Sequence, residues 1–115
     1  MAVSEPLRPG DIVIVPFPYA DQLAEKRRPA LVVSAEPFNA RHGLAWVAMI
    51  TSAANPAWDG DVTIADQAAA GLPAPSIVRT AKIATIEPER VVRMAGRIAE
   101  EEMERVRGMI AGTIG

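Results

Sequence analysis

Two short apolar runs near the N-terminus, at residues 12–17 and 30–33, are separated by a polar stretch. Both runs are rich in β-branched residues and carry apolar side chains at successive positions, which is typical of strands buried on both faces. The polar stretch ends in the cations Lys26, Arg27 and Arg28 and is closed by Pro29. Since proline disfavours a helical conformation in the residue before it, Arg28 is expected to be extended. The pattern therefore predicts two buried strands joined by a charged loop.

Further short apolar runs alternate with turn residues along the rest of the chain. They predict strands at 44–50, 62–65, 77–80, 82–86 and 91–94, a turn-rich connection at 35–43, and one helical turn at 67–70. From Ala99 the period changes, because Ala99, Met103, Val106 and Ile110 recur at spacings of four, three and four. That spacing predicts a C-terminal amphipathic helix. Several short strands and one terminal helix predict a mainly β protein that forms a small closed or nearly closed barrel.

Length and composition restrict the possible sites. The 115 residues predict one domain over 1–115, and no apolar run approaches the roughly 20 residues that span a bilayer. A cytoplasmic protein without membrane contact is expected, because the N-terminus also lacks the apolar core of a signal peptide. With no cysteine and one histidine, the sequence cannot form a clustered cysteine or histidine metal site. We expect neither a metal nor another cofactor.

The net charge is −2, although its distribution is uneven. Residues 100–115 hold four acids and two bases, so the other residues carry ten of each, from totals of 14 and 12. Ten of the twelve basic residues are arginine, which suits bidentate contacts to phosphate. A local phosphate-binding groove is compatible with this balance, while long-range attraction of RNA should be modest.

The motif G-D-I-V-x-V-P-F-P at residues 10–18, followed by a polar loop and R-P-A-L-V-V-S at 28–34, resembles the opening of the MazF/PemK-like toxin family of small ribonucleases. The blocks I-T-S at 50–52, S-I-V-R at 76–79 and G-R-I at 96–98 extend the resemblance over nearly the whole chain. The resemblance implies an SH3-like β-barrel of the MazF/CcdB type, with a short helix and a C-terminal α-helix. It also implies a homodimer.

The same resemblance assigns candidate catalytic residues. Arg28 stands where the family's R-P-A motif has its active-site arginine, and Thr51 matches the threonine that follows the third strand. RNA supplies its own nucleophile, the 2'-hydroxyl, so the protein must chiefly orient the phosphate and neutralise the charge that develops on it. Arginine suits that second task, and a threonine hydroxyl can donate to a phosphate oxygen. Five further residues are expected to contact the RNA: Lys26, Arg27, Ser52, Arg79 and Lys82.

Other residues that could take part in binding or catalysis give weaker indications of function. Trp46 is predicted to lie in the core, and Trp58 fits either a base-stacking platform or the core, with the core favoured. His42 is expected to be a solvated loop residue. Asp59 and Asp61 flank Gly60, an arrangement more typical of a turn than of a metal site.

The sequence therefore predicts the toxin of a type II toxin-antitoxin system, acting as a metal-independent, sequence-selective endoribonuclease on single-stranded mRNA. Its expected partners are RNA, a cognate antitoxin and a second copy of the chain. Two alternatives remain: a gyrase-inhibiting toxin of the CcdB type, and a catalytically silent barrel that only binds. The R-P-A and I-T-S blocks favour the nuclease.

Overall fold

A computed structural model describes residues 6–16 and 26–115 of the chain. The described residues form six strands and two helices, with a single 3-10 turn at Pro88–Arg90. In chain order the elements are β1 (Asp11–Pro16), β2 (Arg27–Val32), α1 (Glu36–His42), β3 (Ala45–Ser52), β4 (Asp61–Ile64), β5 (Ser76–Ile86), β6 (Arg93–Arg97) and α2 (Glu100–Ile114). The predicted mainly β architecture with a C-terminal helix is confirmed.

The six strands form one curled sheet in the order β4-β5-β3-β2-β1-β6. Each pair of neighbouring strands is antiparallel. The strands are apolar on both faces because each face has its own core. The face covered by α2 buries Ile12, Leu31, Ile50, Val78, Met103 and Val106. The opposite face buries Leu7, Val13, Val15, Ala30, Val32, Val47 and Ile86.

The edge strands β4 and β6 are brought together by the turn at residues 66–72, which we call the closing turn. Its backbone packs directly on β6: a Cβ atom at Gly96 would lie 2.5 Å from the carbonyl oxygen of Ala69. Gly71 has a φ of +73°, and a Cβ there would lie 1.9 Å from the carbonyl oxygen of Ala95. Only glycine fits at either position without displacing backbone. The barrel is therefore closed by a turn packed on an edge strand, and not by a pair of hydrogen-bonded strands.

The prediction of a turn-rich connection at 35–43 was wrong, because these residues contain helix α1. Pro37 lies in its first turn, where a missing N–H costs nothing, and Gly43 ends it in a left-handed conformation. The amide of Gly43 donates to the carbonyl oxygen of Asn39 at 3.0 Å. The buried side chain of Asn39 then bonds outside the helix, to the carbonyl oxygens of Leu7 and Ser34.

Several other boundaries differ from the predictions, and those of β1, β3 and β4 do so by one or two residues at each end. The two strands predicted at 77–80 and 82–86 are one strand, β5, whose ladder with β3 shifts in register between Ala48 and Met49. Residues 67–70 form one turn as predicted, because the Ala70 amide donates to the carbonyl oxygen of Asp66 at 3.2 Å and the Asp66 carboxylate accepts a bond from the Ala69 amide at 3.0 Å. Strand β6 begins at Arg93, two residues after the predicted start.

Trp46 is not a core residue as predicted, since 43% of its surface is exposed. It alternates along β3 with the buried residues Ala45 and Val47 and meets Phe38 of α1 edge-on, with ring centroids 5.3 Å apart. No helix within residues 6–16 and 26–115 combines the length and apolarity needed to cross a membrane.

Candidate functional site

Arg28 and Thr51 lie on adjacent strands, β2 and β3. The basic cluster does not end a loop as predicted, because Arg27, Arg28 and Pro29 are part of β2, where Arg28 is extended and pairs with Val15. Strands β2 and β3 pair in the register Ala30 to Met49, Leu31 to Ala48 and Val32 to Val47. Continued by two residues, the same register sets Arg28 opposite Thr51.

Both side chains also belong to the same face of the sheet. Successive residues of a strand point to opposite faces, so Arg28 shares a face with Ala30, and Thr51 shares one with Met49. Ala30 is buried in the core on the side away from α2, and Met49 packs against that core. Arg28 and Thr51 therefore project from the face of the sheet opposite α2.

The Thr51 hydroxyl is oriented by a neighbouring side chain. The Nδ2 atom of Asn55 donates to the Thr51 Oγ1 atom at 2.7 Å. This bond uses a lone pair of the hydroxyl and leaves its hydrogen to be donated elsewhere. Ser52 is exposed, and its hydroxyl accepts a bond from the Ala54 amide at 3.1 Å.

After Thr51 and Ser52 the chain crosses the sheet. Because β3 and β4 are each antiparallel to β5 and lie on either side of it, they run parallel to one another, and the chain between them must pass over β5. We call residues 53–60 the crossing loop. The loop lies over Arg79 of β5, whose partners across the strands are Met49 and Asp61. It therefore covers the same face that carries Arg28 and Thr51.

Arg79 holds the crossing loop in place. The side chain is within β5 and only 7% exposed. Its Nε and Nη2 atoms donate to the two carboxylate oxygens of Asp61 at 3.2 and 3.0 Å, and Nη2 also donates to the carbonyl oxygen of Pro56 at 2.9 Å. The guanidinium carbon lies 4.3 Å from the ring centroid of Trp58. Arg79 thus links β4, β5 and the loop.

The carboxylate of Asp61 is held in its charged form by these contacts. Burial alone would raise the pKa of Asp61, but the hydrogen bonds from Arg79 and from the Trp58 amide, together with the charge of Arg79, outweigh it. The pKa therefore lies below its ordinary value of 3.8. The amide of Trp58 contributes through a 2.8 Å bond to the carboxylate. Asp61, considered above with Asp59, is thus the partner of a buried arginine.

Trp58 is not part of the core. Although the sequence favoured burial, 43% of its surface is exposed. The Nζ atom of Lys82 lies 5.1 Å from the centroid of the Trp58 ring. An exposed indole and an ammonium group therefore stand together over the sheet, near Thr51.

The remaining predicted cations, Lys26 and Arg27, come directly before Arg28 in the chain. Lys26 and Arg27 are exposed. Arg27 lines an open cavity of about 510 Å³ together with Glu87, Glu89 and Arg90. The charge around this part of the surface is therefore mixed, as the near-neutral composition of the chain requires.

His42 is remote from these residues. It is in the last turn of α1, not in a loop as predicted, and its ring centroid lies 4.7 Å from that of Phe38. Helix α1 follows the C-terminal end of β2, whereas Arg28 stands at the beginning of that strand. The histidine and Arg28 consequently lie at opposite ends of β2.

Comparisons with known proteins agree with this fold. The model of the family described as "PemK-like, MazF-like toxin of type II toxin-antitoxin system" matches residues 8–113. No protein with a curated description matches the sequence.

Several solved structures have the same fold. MazF from Deinococcus radiodurans is 23% identical, with a TM-score of 0.76 over 97% of this chain and 99% of that one. The toxin MazF-mt6 from Mycobacterium tuberculosis is 23% identical, with a TM-score of 0.72 over 93% and 96% of the two chains. An endoribonuclease from a mycobacterial species, solved with its cognate antitoxin, is 18% identical, with a TM-score of 0.72 over 98% and 96%. The family match spans nearly all of the sequence, and the chain belongs to the PemK-like, MazF-like toxins of type II toxin-antitoxin systems.

Proposed function

We propose that this protein is a metal-independent, sequence-selective endoribonuclease that cleaves single-stranded RNA. The observation that carries the proposal is the register of β2 and β3, which on continuation sets Arg28 opposite Thr51 on one face of the sheet. A cation beside a hydroxyl donor is suited to stabilising the negative charge that develops on a phosphate in the transition state. Among the structural relatives, mycobacterial proteins described as endoribonucleases share the fold.

In the proposed reaction the 2'-oxygen of the RNA loses its proton and attacks the adjacent phosphorus. The bond from phosphorus to the 5'-oxygen then breaks, and that oxygen takes up a proton. The products are a 2',3'-cyclic phosphate and a 5'-hydroxyl. Arg28 neutralises the charge that develops on the pentacovalent phosphorane.

Thr51 donates its hydroxyl hydrogen to a phosphate oxygen, while Asn55 fixes the direction of that hydroxyl through the 2.7 Å bond. Lys26 and Arg27 contact phosphates of neighbouring nucleotides, which positions the RNA without reading its sequence. Ser52, exposed at the end of β3, contacts the RNA beside Thr51.

The test is incubation of the purified protein with mixed RNA in the presence of a chelator, followed by sequencing of the new ends. Arg28→Ala and Arg28→Lys should both abolish cleavage, because lysine lacks the planar fork of arginine. Thr51→Ala should lower the rate by roughly ten- to a thousandfold. Arg41→Ala, which removes an exposed arginine of α1, is the matched control and should retain the parent rate.

Cleavage by the Arg28→Ala protein at the parent rate would contradict the assignment. If the parent protein leaves RNA intact and inhibits DNA gyrase, the CcdB-like alternative replaces the nuclease. If it does neither, the chain is a binding module.

We also propose a cognate antitoxin and a homodimer as its assemblies. MazE-MazF structures from Deinococcus radiodurans and the mycobacterial complex support an antitoxin partner. A segment that lays carboxylates over Arg28 would exclude RNA and would bind less tightly as salt rises. Titrating antitoxin into RNA bound to the Thr51→Ala protein, which keeps Arg28, and to the Arg28→Ala protein tests this: RNA that stays bound to Thr51→Ala at saturating antitoxin would show that inhibition acts elsewhere.

A further inference from the structure

We propose that Trp58 is a stacking platform for one nucleobase of the RNA, fixed in position by Arg79 and Asp61. This inference rests on the proposed ribonuclease function and adds to it a site for a base beside the site for the phosphate. Trp58 would then help to determine which nucleotides are accepted around the cleaved bond.

The position of the ring follows from the register of three strands. Arg79, on which the indole rests, is directly opposite Met49. Met49 and Thr51 are two residues apart on one strand, which is about 6–7 Å. The Arg79 guanidinium bonds Asp61 of β4, so the indole lies over the face that carries Thr51 and is separated from Thr51 by at least the width of one strand. A base next to the phosphate at Thr51 is within its reach.

The crossing loop that carries the ring is rigidly attached to the sheet. The Arg79 guanidinium binds the carbonyl oxygen of Pro56, and the Thr80 hydroxyl donates to the carbonyl oxygen of Gly60 at 2.8 Å. Trp58 itself donates its amide to the Asp61 carboxylate, and its carbonyl oxygen accepts the Asp61 amide at 3.2 Å. Because these bonds form on folding, little conformational entropy remains to be lost when a base binds.

The exposure of the ring, together with the two cations against it, distinguishes a platform from a packing residue. A tryptophan that served only the core would bury its large apolar surface, whereas 43% of Trp58 is exposed above a desolvated guanidinium. The Lys82 ammonium also lies over the ring, 5.1 Å from its centroid, and adds positive charge at the stacking surface. Aromatic rings next to cations are the usual components of sites for single-stranded nucleic acid.

The role of Arg79 is thereby different from that of Arg28. Its guanidinium is buried and bound to Asp61 and Pro56, so it positions the platform and does not contact the phosphate. Arg79→Lys should consequently impair RNA selection through Trp58, because a single ammonium cannot bridge two carboxylate oxygens and a carbonyl in the same plane.

The experiment is an abasic scan of a short RNA that contains one cleavage site. Each nucleotide in turn is replaced by an abasic one, and kcat/KM is measured for the parent, Trp58→Ala and Trp58→Phe proteins. Loss of one stacked base corresponds to roughly a 5- to 150-fold decrease. We expect one abasic position to lower kcat/KM of the parent by that factor and to have no effect on Trp58→Ala, while Trp58→Phe behaves like the parent.

Trp46→Ala is the matched control, since Trp46 has the same exposed fraction, 43%, but lies beside α1. It should respond to every abasic position as the parent does. A base analogue that fluoresces, 2-aminopurine, placed at the sensitive position should be quenched on binding to Arg28→Ala and not to the Arg28→Ala, Trp58→Ala double variant.

Two results would overturn the inference. In the first, Trp58→Ala cleaves every RNA at the parent rate. In the second, Trp58→Ala is slower but remains as sensitive as the parent to each abasic position, which is the behaviour of a residue that only supports the fold. If the parent protein cleaves no RNA, the proposed function itself fails, and that result appears without any variant.

Discussion

Replacing Asn39 by alanine should be among the most damaging single changes outside the hydrophobic core. The buried Asn39 side chain joins α1 to two other parts of the chain, since Nδ2 donates to the carbonyl oxygen of Leu7 at 2.7 Å and to that of Ser34 at 3.1 Å. Its Oδ1 atom accepts the Ser34 hydroxyl, which in turn accepts the Trp46 amide at 2.9 Å. A single residue therefore connects the N-terminal segment, the end of β2 and the beginning of β3.

The expected loss of stability follows from the two carbonyl oxygens that no longer have the Asn39 donor. Alanine cannot donate, so the carbonyl oxygens of Leu7 and Ser34 both lose the donation from Asn39 in a buried position, and each such loss costs about 1–3 kcal/mol. We expect the free energy of unfolding to fall by about 2–6 kcal/mol, out of a total of roughly 5–15 kcal/mol for a domain of this kind. At about 4 °C per kcal/mol, the melting temperature should fall by roughly 8–24 °C.

The assay is urea unfolding followed by circular dichroism at a fixed protein concentration. Asn55→Ala is the matched control, because it makes the same truncation at an exposed site, and it should change the free energy of unfolding by no more than about 0.5 kcal/mol. The Asn39→Asp variant keeps the shape but brings a negative charge to the two carbonyl oxygens. Its carboxyl should have a raised pKa in the folded state, so the variant should regain stability as pH falls. A loss below about 0.5 kcal/mol for Asn39→Ala would refute the reasoning.

Three other predictions concern glycine positions, the ion pair of Asp61 with Arg79, and the oligomeric state. Gly96→Ala should destabilise the protein by about 1–3 kcal/mol in the same urea assay, because the new methyl group would lie 2.5 Å from the carbonyl oxygen of Ala69. The control is Gly108→Ala, whose methyl group would have no atom within 4 Å. It should stabilise α2 by about 0.4–1 kcal/mol. Asp61 has a lowered pKa, so its contribution to the free energy of unfolding is present above pH 3.8 and is lost as pH falls through the folded-state pKa. Asp61→Asn should therefore make the free energy of unfolding less dependent on pH in the acid range. An unchanged dependence on pH would contradict the ion pair with Arg79. Light scattering at micromolar concentration should give twice the mass of the 12.2 kDa chain, and a monomer mass would count against the homodimer.

Much of the sheet could be predicted because burial on both faces leaves a signal in the sequence itself. Continuous β-branched runs gave β1, β2 and β3 close to their observed positions. Helix α1 was missed because its seven residues include a proline and end at a glycine, while part of what holds it is the contact of Asn39 with Leu7, 32 residues away. The single strand β5 was divided in two at Ala81, which lies within the three residues where the ladder with β3 shifts in register, between Arg79 and Ile83.

The candidate site was predictable only in part. The position of Arg28 and Thr51 came from short motifs, and the register of β2 and β3 is consistent with them. The pair of Arg79 and Asp61 could not be found in the sequence, since it depends on the chain crossing β5 between residues 18 apart. A signal for the exposure of Trp58 was present, because it is followed by Asp59, Gly60 and Asp61, and a tryptophan in so polar a stretch has few apolar neighbours to pack against.

The closing turn makes one part of the barrel separable from the rest. Since β4 and β6 have no ladder between them, moving the turn away from Gly96 exposes two strand edges without breaking any pair of strands. The burial of Ala70 and Leu72 in the core and the bond from the Arg97 amide to the carbonyl oxygen of Ala69 at 3.4 Å oppose this motion. So does α2, whose buried Glu102 accepts the Ala65 amide at 2.6 Å and secures the beginning of the turn. Amide hydrogens of β6 should therefore exchange through a partial opening that leaves β2, β3 and β5 intact. The toxin then contains an edge at which a strand from another chain could pair after a local opening that leaves β2, β3 and β5 intact.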